Sequence, residues 1–373
     1  MEMDLMQAKL SVIEAGKKLV ETGLIARTWG NVSCRVNDTE FVITPSGRSY
    51  ESLTPDEIVT VKIEDLSYEG EIKPSSEKGV HAAAYRLRPE VNFVIHTHQV
   101  NASVVSALGQ DMLVDSAMHT SVLGGKVPLA AYGLPGTKKL KAGVTAAIEQ
   151  NPTSKAVIMA HHGAVCMGAD SNEAFFVAQT LEDACRVFIA KKHTGAKKIK
   201  KPVCYSSVRK DDKLLISGDD GSDFETPVSK ELNRTDFGVA AMHRDIYLAR
   251  PEINAILNAA TPDILAAQDK CRGKLKPLLD DYAQIAGVSV KKAKKEKAAK
   301  ALNGRNAVFV KGSGLLCCGT DMYEANAIRM VVEKNCQAYL AACSFGVTNY
   351  INVFESFLMR FVYVKKYSKQ KNQ

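Results

Sequence analysis

The chain has 373 residues, of which 46% are hydrophobic and 24% charged, and its net charge is +8. This composition is ordinary for a globular protein, and the length is sufficient for two domains that each bury a core. The nine cysteines are scattered too unevenly in a chain of this size to form a small disulfide framework, so we expect reduced thiols.

Much of the positive charge lies in two lysine-rich runs, at 191–201 and 291–300. Runs of this kind are typical of solvated faces or linkers, so we expect no nucleic-acid partner. No apolar run approaches the roughly 18 residues of a membrane span, and no signal-like segment precedes Leu5. We therefore expect a cytoplasmic protein with no membrane partner.

Apolar periodicity predicts alternating helices and strands through the first half of the chain. Apolar residues such as Leu5, Leu10 and Leu19 predict an opening helix. It ends near Gly23, which stands close to the C′ position just after the helix, where glycine is favoured. The later predicted elements are strands at 32–36 and 41–43, a tight turn at 44–47, a strand at 58–63, a helix at 76–88, a strand at 91–98, a helix at 139–149, a strand at 156–160 and a helix at 172–192. The helix that follows residue 76 ends before Pro89, because the residue before proline avoids the helical region.

One pattern occurs twice in the chain. Residues 88–98 correspond to 250–260, and residues 156–163 correspond to 307–314; adjacent Cys317 and Cys318 then fall in a core strand. A repeat of more than a hundred residues is a domain duplication and not a solenoid unit. We predict a first domain at 1–200, a linker at 201–228 and a second domain, with a C-terminal tail, at 229–373.

The first copy contains a candidate metal site. His96 and His98 are two residues apart on a predicted strand, so both side chains project from the same face. A third histidine from His161-His162, at the end of another predicted strand, completes three nitrogen ligands and leaves a coordination position open, as in a catalytic zinc site. A His-x-His pair alone is also common in ordinary packing.

A candidate phosphate site lies near the start of the predicted helix at 76–88. Ser75 and Ser76 place hydroxyls and free backbone amides at one locus, which suits a phosphate, although Ser76 also fits a simple N-cap. Asn31, Ser46 and Gly47 either add hydrogen-bond donors from neighbouring loops or are turn residues only.

These residues form a recognisable series of motifs. In order they are Gly30-Asn31-Val32-Ser33, Thr44-Pro45-Ser46-Gly47, Ser75-Ser76-Glu77, His81, Arg88-Pro89, His96-Thr97-His98, Pro128 with Tyr132, and His162-Gly163. Residues 5–195 resemble the class II aldolase/adducin family, and within it L-fuculose-1-phosphate aldolase most closely; the second half resembles the same fold more weakly. The resemblance implies an α/β fold of two tandem three-layer α/β/α domains, each with a central, largely antiparallel sheet.

The resemblance also implies the roles of individual residues. The metal ligands are His96, His98 and His162, which makes His161 a neighbour, and Glu77 is the catalytic acid/base. The positions that match the family's phosphate-binding residues are Asn31, Ser46, Gly47, Ser75 and Ser76. Three imidazoles suit zinc, with manganese or cobalt as alternatives.

The implied activity is metal-dependent cleavage of a small ketose phosphate, such as a fuculose-1-phosphate-like sugar, to dihydroxyacetone phosphate and an aldehyde. Glu77 favours an aldolase over the family's pentulose-phosphate 4-epimerases, which carry aspartate at this position. A sugar-phosphate dehydratase remains an alternative. An adducin-like binding protein is a further alternative, but it predicts that the ligands are lost in every copy.

The family's active sites lie between subunits, so the resemblance implies a homo-oligomer. The fuculose-phosphate enzymes use a tyrosine of the neighbouring subunit as proton donor, and this chain has His119 there as a possible substitute. Tyr132 is a further possible site residue. The C-terminal tail either packs as a strand or helix or covers a neighbouring active site, with Tyr363 or Tyr367 as contributors.

In the second copy, the positions of the three metal ligands hold Asn258, Ala260 and Ser313, and the acid/base position falls near Val239. This copy should not bind zinc. We expect it to shape the substrate pocket of the first copy, with a purely structural role as the alternative.

Overall fold

A computed structural model describes residues 3–25, 29–193, 195, 199–229 and 238–366. These residues divide into two compact units, the first comprising the described part of 1–193 with 345–349 and the second comprising the described part of 194–344 with 350–366. The division falls inside the first lysine-rich run.

The first unit is built on a mixed sheet that is almost entirely antiparallel. Its strands are β1 (Gly30–Arg35), β2 (Glu40–Ile43), β3 (Val59–Lys62), β4 (Phe93–Thr97), β5 (Met112–Leu113), β6 (Lys126–Val127), β7 (Leu129–Ala130), β8 (Ala156–Met159) and β9 (Ala164–Gly168). The order in the main sheet is β3-β2-β1-β4-β9-β8-β7, and β5 pairs separately with β6. Only β7 and β8 pair in parallel within this described sheet.

Helices cover both faces of this sheet. They are α1 (Leu5–Glu21), α2 (Lys78–Leu87), α3 (Val100–Ser106), α4 (Ala117–Leu123), α5 (Lys138–Gln150) and α6 (Ser171–Ala190), with 3₁₀ turns at Tyr50–Ser52 and Pro55–Glu57. The helices α2 and α5 bury Tyr85 and Val144 against one face, and α1, α3 and α6 contact the sheet from the other. The predicted opening helix is α1; it buries Val12 and Leu19, while Leu5 and Leu10 are exposed.

The second unit repeats this topology. Its strands are β10 (Tyr205–Lys210), β11 (Lys213–Gly218), β12 (Asp223–Pro227), β13 (Ala255–Ala259), β14 (Lys274–Leu275), β15 (Val290–Ala293), β16 (Ala307–Val310) and β17 (Gly314–Gly319). Their order is β12-β11-β10-β13-β17-β16-β15-β14. The first seven match the main sheet of the first unit strand for strand, including the parallel pair β15 and β16. The predicted fold of two tandem α/β units with largely antiparallel sheets is confirmed.

The remaining helices belong mainly to the second unit. They are α7 (Gly238–Ala249), α8 (Pro262–Lys270), α9 (Asp280–Ile285), α10 (Ala298–Ala301), α11 (Met322–Phe345) and α12 (Val353–Lys366), with a 3₁₀ turn at Lys295–Lys297. Cys317 and Cys318 lie in the buried strand β17, as predicted. The tail forms α12, which contains Tyr363, whereas Tyr367 lies outside the described residues. Over the described residues, no helix has the length and apolar character needed to cross a membrane.

The predicted linker at 201–228 is wrong. Residues 205–227 form β10, β11 and β12, which occupy one edge of the second sheet. Leu214 and Ile216 of β11 are fully buried while their neighbours are more exposed, the alternation of a strand covered on one face. The polar stretch at 217–222 ends β11 and forms the turn into β12.

Candidate metal centre

On strand β4, the His96 side chain projects from the face of the sheet that α2 covers. It pairs with β1 on one side and β9 on the other, so His96 lies opposite Asn31 and Val165. Val94, two residues earlier, is buried in the core beneath α2. Because side chains two apart on a strand share a face, His96 projects toward the same side.

The turn between β8 and β9 delivers His162 to the same place. The backbone N–H of His162 donates to the Met159 carbonyl at 3.0 Å, and the Met159 N–H donates to the Gly163 carbonyl at 2.8 Å. A Cβ atom on Gly163 would lie 2.1 Å from the Thr97 carbonyl oxygen. Only glycine therefore allows this turn to lie against the end of β4.

The three predicted ligands converge on one point. The Nε2 atom of His96 lies 3.1 Å from Nε2 of His98 and 3.1 Å from Nε2 of His162. One ligand atom from each histidine lies within 4.8 Å of the others. The Nδ1 atom of His96 donates to the Ala164 carbonyl at 2.9 Å, so Nε2 is the ring nitrogen that faces the cluster.

Glu77 lies directly beside this cluster. It is the N-cap residue of α2, its side chain is 8% exposed, and its carboxylate oxygens lie 3.0 Å from Nε2 of His96 and 3.2 Å from Nε2 of His162. Burial alone raises the pKa of Glu77, but its electrostatic interactions and hydrogen bonds with His162 and His96 outweigh burial and hold this pKa well below its usual range. The histidine cluster thus stabilises the ionised form of the Glu77 carboxylate.

A buried hydrogen-bond network holds Asn31 against Glu77. Asn31 donates from Nδ2 to the Glu77 carboxylate at 3.4 Å, and its Oδ1 contacts Nε2 of His81. The Nδ1 atom of His81 lies 2.6 Å from the Ser33 hydroxyl, which also contacts the Tyr85 hydroxyl at 2.6 Å.

The protonation of His81 sets the direction of this network. Burial, with a smaller contribution from His96, lowers the pKa of His81 to about 3, so the imidazole is neutral at pH 7. A neutral ring that donates from Nε2 to the Asn31 oxygen must accept from Ser33 at Nδ1. The Asn31 amide is thereby oriented with its N–H groups toward Glu77. Sequence reasoning missed Ser33; the signal was the recurrence of the same pair as Ser207 and His243.

The two loops predicted to bind phosphate lie side by side. Pro45 and Pro74 form a β-bridge, the Ser46 N–H donates to the Lys73 carbonyl, and the Ser75 N–H donates to the Thr44 carbonyl. The Ser75 hydroxyl accepts from the Glu77 N–H at 3.2 Å. The structure thus brings Ser46, Gly47, Ser75 and Ser76 together, while their role with phosphate stays a prediction.

The N-cap alternative for Ser76 is wrong. The N-cap residue of α2 is Glu77, with no side-chain cap hydrogen bond, and Ser76 is exposed just before it.

His119 and Tyr132 do not belong to the three-histidine cluster. His119 is 4% exposed in α4, and its Nε2 atom lies 2.9 Å from Oδ2 of Asp183 in α6. The Tyr132 ring packs edge-on against His161, with the ring centroids 5.3 Å apart. His161 has a left-handed backbone with φ of 62°, an uncommon conformation for a residue with a side chain.

The donor set fits a divalent transition metal. Three imidazole nitrogens meet at one locus, a hydrogen-bonded carbonyl fixes the tautomer of His96, and a carboxylate lies alongside. This arrangement suits zinc, cobalt or manganese and leaves room for oxygen atoms of a bound molecule. Across the described residues, this is the single such group of three converging metal-ligating side chains.

The second unit keeps the scaffold of this site without its donors. Gly314 approaches the Ala259 carbonyl as Gly163 approaches Thr97, and a Cβ atom there would lie 2.4 Å from that oxygen. Gly312, with φ of 75°, takes the left-handed position of His161. The ligand positions hold Asn258, Ala260 and Ser313, which offer no imidazole.

The sequence is similar to a well-populated enzyme family. The profile described as "Class II Aldolase and Adducin N-terminal domain" matches residues 11–189 and again 200–340. The chain is 32% identical to 5-deoxy-D-ribulose 1-phosphate aldolase of Bacillus thuringiensis over 53% of this chain and 91% of the relative. It is 33% identical to L-fuculose phosphate aldolase of Escherichia coli over 48% of this chain and 80% of the relative.

Solved structures give a similar result. A structure of an L-fuculose 1-phosphate aldolase matches with a TM-score of 0.47 and 31% identity, over 52% of this chain and 90% of that one. These aldolases each match about half of the chain.

Proposed function

Because the chain belongs to the class II aldolase and adducin family, we propose that its first unit is a divalent-metal-dependent lyase. In this proposal it cleaves a small ketose 1-phosphate to dihydroxyacetone phosphate and an aldehyde. A homo-oligomeric, cytoplasmic enzyme remains our prediction.

The observation that carries the proposal is the contact of Glu77 with two of three converging histidines. The carboxylate lies 3.0 Å from His96 and 3.2 Å from His162, buried from solvent. A metal held by His96, His98 and His162 would act as a Lewis acid on the carbonyl and adjacent hydroxyl oxygens of a ketose. Relatives that match about half of the chain are named as aldolases of ketose 1-phosphates, which supports the same chemistry.

Glu77 is proposed to move the proton that cleavage requires. When the bond between carbons 3 and 4 breaks, the hydroxyl on carbon 4 loses its proton and becomes the aldehyde. Carbon 3 keeps the electron pair and takes up a proton, which yields dihydroxyacetone phosphate. A carboxyl group held beside the candidate metal ligands by the amide of Asn31 would be suited to that transfer.

The loops at Ser46-Gly47 and Ser75-Ser76 are proposed to hold the substrate phosphate. They adjoin each other, and the Ser75 hydroxyl accepts from the Glu77 N–H. A phosphate fixed there, remote from the bond that breaks, supplies binding energy and orients the sugar.

The test is a panel of ketose 1-phosphates and pentulose 5-phosphates incubated with the metal-loaded protein and scored for dihydroxyacetone phosphate. We expect release from a 1-phosphate, and a loss of about 10²–10⁴-fold in Glu77→Gln, which keeps the shape of the side chain but not its proton transfer.

Consumption of substrate without dihydroxyacetone phosphate would favour the dehydratase or epimerase alternatives. A protein that contains no divalent metal and consumes none of the panel would favour the adducin-like alternative.

A further inference from the structure

The helix α12 (Val353–Lys366) of the second unit exposes an apolar face. On its other side, Ser356 and Met359 are buried, and Arg360 donates to two backbone carbonyls of α9, on which the helix packs. Seven apolar residues elsewhere on the helix are 37–75% exposed, and these are Val353, Phe354, Phe357, Leu358, Phe361, Val362 and Val364. Single exposed apolar residues are normal on a protein surface, but a contiguous set of this size marks an interaction surface.

The area of this face is close to what one partner contributes to a stable dimer. An aromatic side chain has about 150–250 Å² of surface, so the exposed parts of the three phenylalanines supply roughly 350 Å². With the four aliphatic side chains, the face reaches about 600 Å², against about 800 Å² per partner in a standard interface. Polar residues at the rim of the face are sufficient to supply the remainder.

The most exposed part of the face is self-complementary. Phe354, Phe357, Phe361 and Val364 are separated by three, four and three residues, so they form one stripe along the helix. This spacing reads the same in both directions and is centred at the level of Met359. An antiparallel second copy of α12 therefore places Phe361 opposite Phe357, and Val364 opposite Phe354. Each contact then occurs twice, as a two-fold interface requires.

The lysines at the end of α12 favour the antiparallel direction. The Nζ atom of Lys365 lies 4.5 Å from the centre of the Phe361 ring, and Lys366, Lys369 and Lys371 follow in the sequence. Two parallel helices would bring these positive charges together. In the antiparallel pair, the two copies of Lys365 lie about 18 Å apart along the helix axis, which exceeds the Debye length of about 8 Å at physiological salt.

A membrane surface fits this face less well than a second copy does. Helices that lie in a membrane interface carry lysine or arginine along the polar flanks of the apolar face. In α12, the Arg360 guanidinium donates to carbonyls of α9, and the lysines of this segment begin only at Lys365. The flanks of the face therefore offer little charge to lipid headgroups.

We propose that α12 is the interface of a two-fold dimer, in which it pairs antiparallel with α12 of a second copy of this chain. The helix lies outside the two segments that match the family profile. The interface uses no residue of the candidate metal centre, and it goes beyond the proposed lyase activity and does not depend on it.

Sedimentation velocity of the full-length, metal-loaded protein over a concentration series tests the interface. We expect self-association that is at least about tenfold weaker in Phe357→Glu, because the new charge would be buried against Phe361 of the second copy. The matched variant Leu248→Glu changes an apolar residue of similar exposure on α7 and should associate like the wild type. A monomeric wild type, unchanged association in Phe357→Glu, or an equal loss in Leu248→Glu would overturn the proposal.

Oxidative cross-linking tests the direction of the helices, with the wild type as background control. A mixture of Phe357→Cys and Phe361→Cys chains should give a disulfide-linked dimer with one chain of each kind, since these positions face each other. Either variant alone should cross-link at least about fivefold less, because its two cysteines would be offset by about 6 Å along the axis. Efficient cross-linking of Phe357→Cys alone would indicate parallel helices and contradict the proposal.

A vesicle arm separates the membrane alternative. The wild type should not sediment with vesicles of phosphatidylserine and phosphatidylcholine. Sedimentation with these vesicles that Phe357→Glu abolishes, in a chain that does not self-associate, would assign the face to a membrane and overturn the dimer. None of these outcomes depends on the lyase assay.

Discussion

The two units share one scaffold, and within the described residues only the first brings three histidines together. Both sheets have the same strand order, and both bring a glycine of the β-turn against the neighbouring strand, at Gly163 and Gly314. The scaffold therefore does not need metal ligands to fold. We therefore expect the histidines of the first unit to serve a function beyond the fold; His161 has a left-handed backbone where the second unit has Gly312.

A second difference concerns a polar contact between corresponding helices. In the first unit, His119 of α4 contacts Asp183 of α6. In the second unit, Asp281 of α9 contacts Lys334 of α11 at 2.5 Å, so the carboxylate lies on the other helix of the pair. The same position thus carries a side-chain contact between helices in a unit without metal ligands. This favours a structural role for His119 over the proton donor that the sequence suggested.

The largest expected effect is the loss of activity when a metal ligand of the first unit is removed, compared with the same change in the second unit. His162→Ala removes a metal ligand, and we expect the release of dihydroxyacetone phosphate to fall by at least about 10³-fold in kcat/KM. The matched variant Ser313→Ala, at the equivalent position, should stay within about twofold of the wild type. A similar loss in both variants would break the comparison.

The next effect concerns stability: the loss of the buried Asp281–Lys334 contact in the second unit should destabilise the protein more than the loss of the His119–Asp183 contact in the first. Asp281 is 2% exposed, and burial raises its pKa although Lys334 acts against this. Lys334→Ala would leave an uncompensated buried acid and should lower the free energy of unfolding by about 3–5 kcal/mol. The Asp183 side chain is 40% exposed, so Asp183→Ala should lower the free energy of unfolding by at most about 1 kcal/mol. Chemical denaturation of both variants checks the order.

Substitution of Gly163 or Gly314, the glycines that lie against a neighbouring strand, should reduce stability to a similar extent but affect metal binding differently. Gly163→Ala and Gly314→Ala each place a Cβ atom against a backbone oxygen, so each should cost about 2–3 kcal/mol. Only Gly163→Ala should also weaken metal affinity, because it displaces His162. Metal titration measures the affinity, and thermal melting measures the stability, of each variant. A loss of metal binding in Gly314→Ala would show that the second unit contributes to the site.

The smallest effect is a pH dependence. Burial lowers the pKa of His243 to about 3, below its unfolded value of about 6.5. The unfolded state therefore binds more protons between these values, and stability falls as pH is lowered. Between pH 7 and pH 5.5, His243 should lower the free energy of unfolding by about 1 kcal/mol. The variant His243→Gln should not show this loss. Urea unfolding of both proteins at the two pH values tests this, and an equal loss in the variant would contradict it.

Local patterns account for what the sequence predicted correctly. His96 and His98 share a strand face, and proline and glycine mark the ends of neighbouring elements, so the metal cluster and most elements could be anticipated. The network of Ser33, His81 and Asn31 could not, because its members are about 50 residues apart and meet only when α2 packs on β1. The strands β10 to β12 were mistaken for a linker because edge strands with one buried face are rich in polar residues.

The central claim is that one unit holds the metal and the other has lost it. The most direct test is the metal content of the purified full-length chain, measured by elemental analysis beside His96→Ala. We predict about one divalent ion per chain in the wild type and none in the variant. Two ions per chain, or one ion that persists in His96→Ala, would contradict the account.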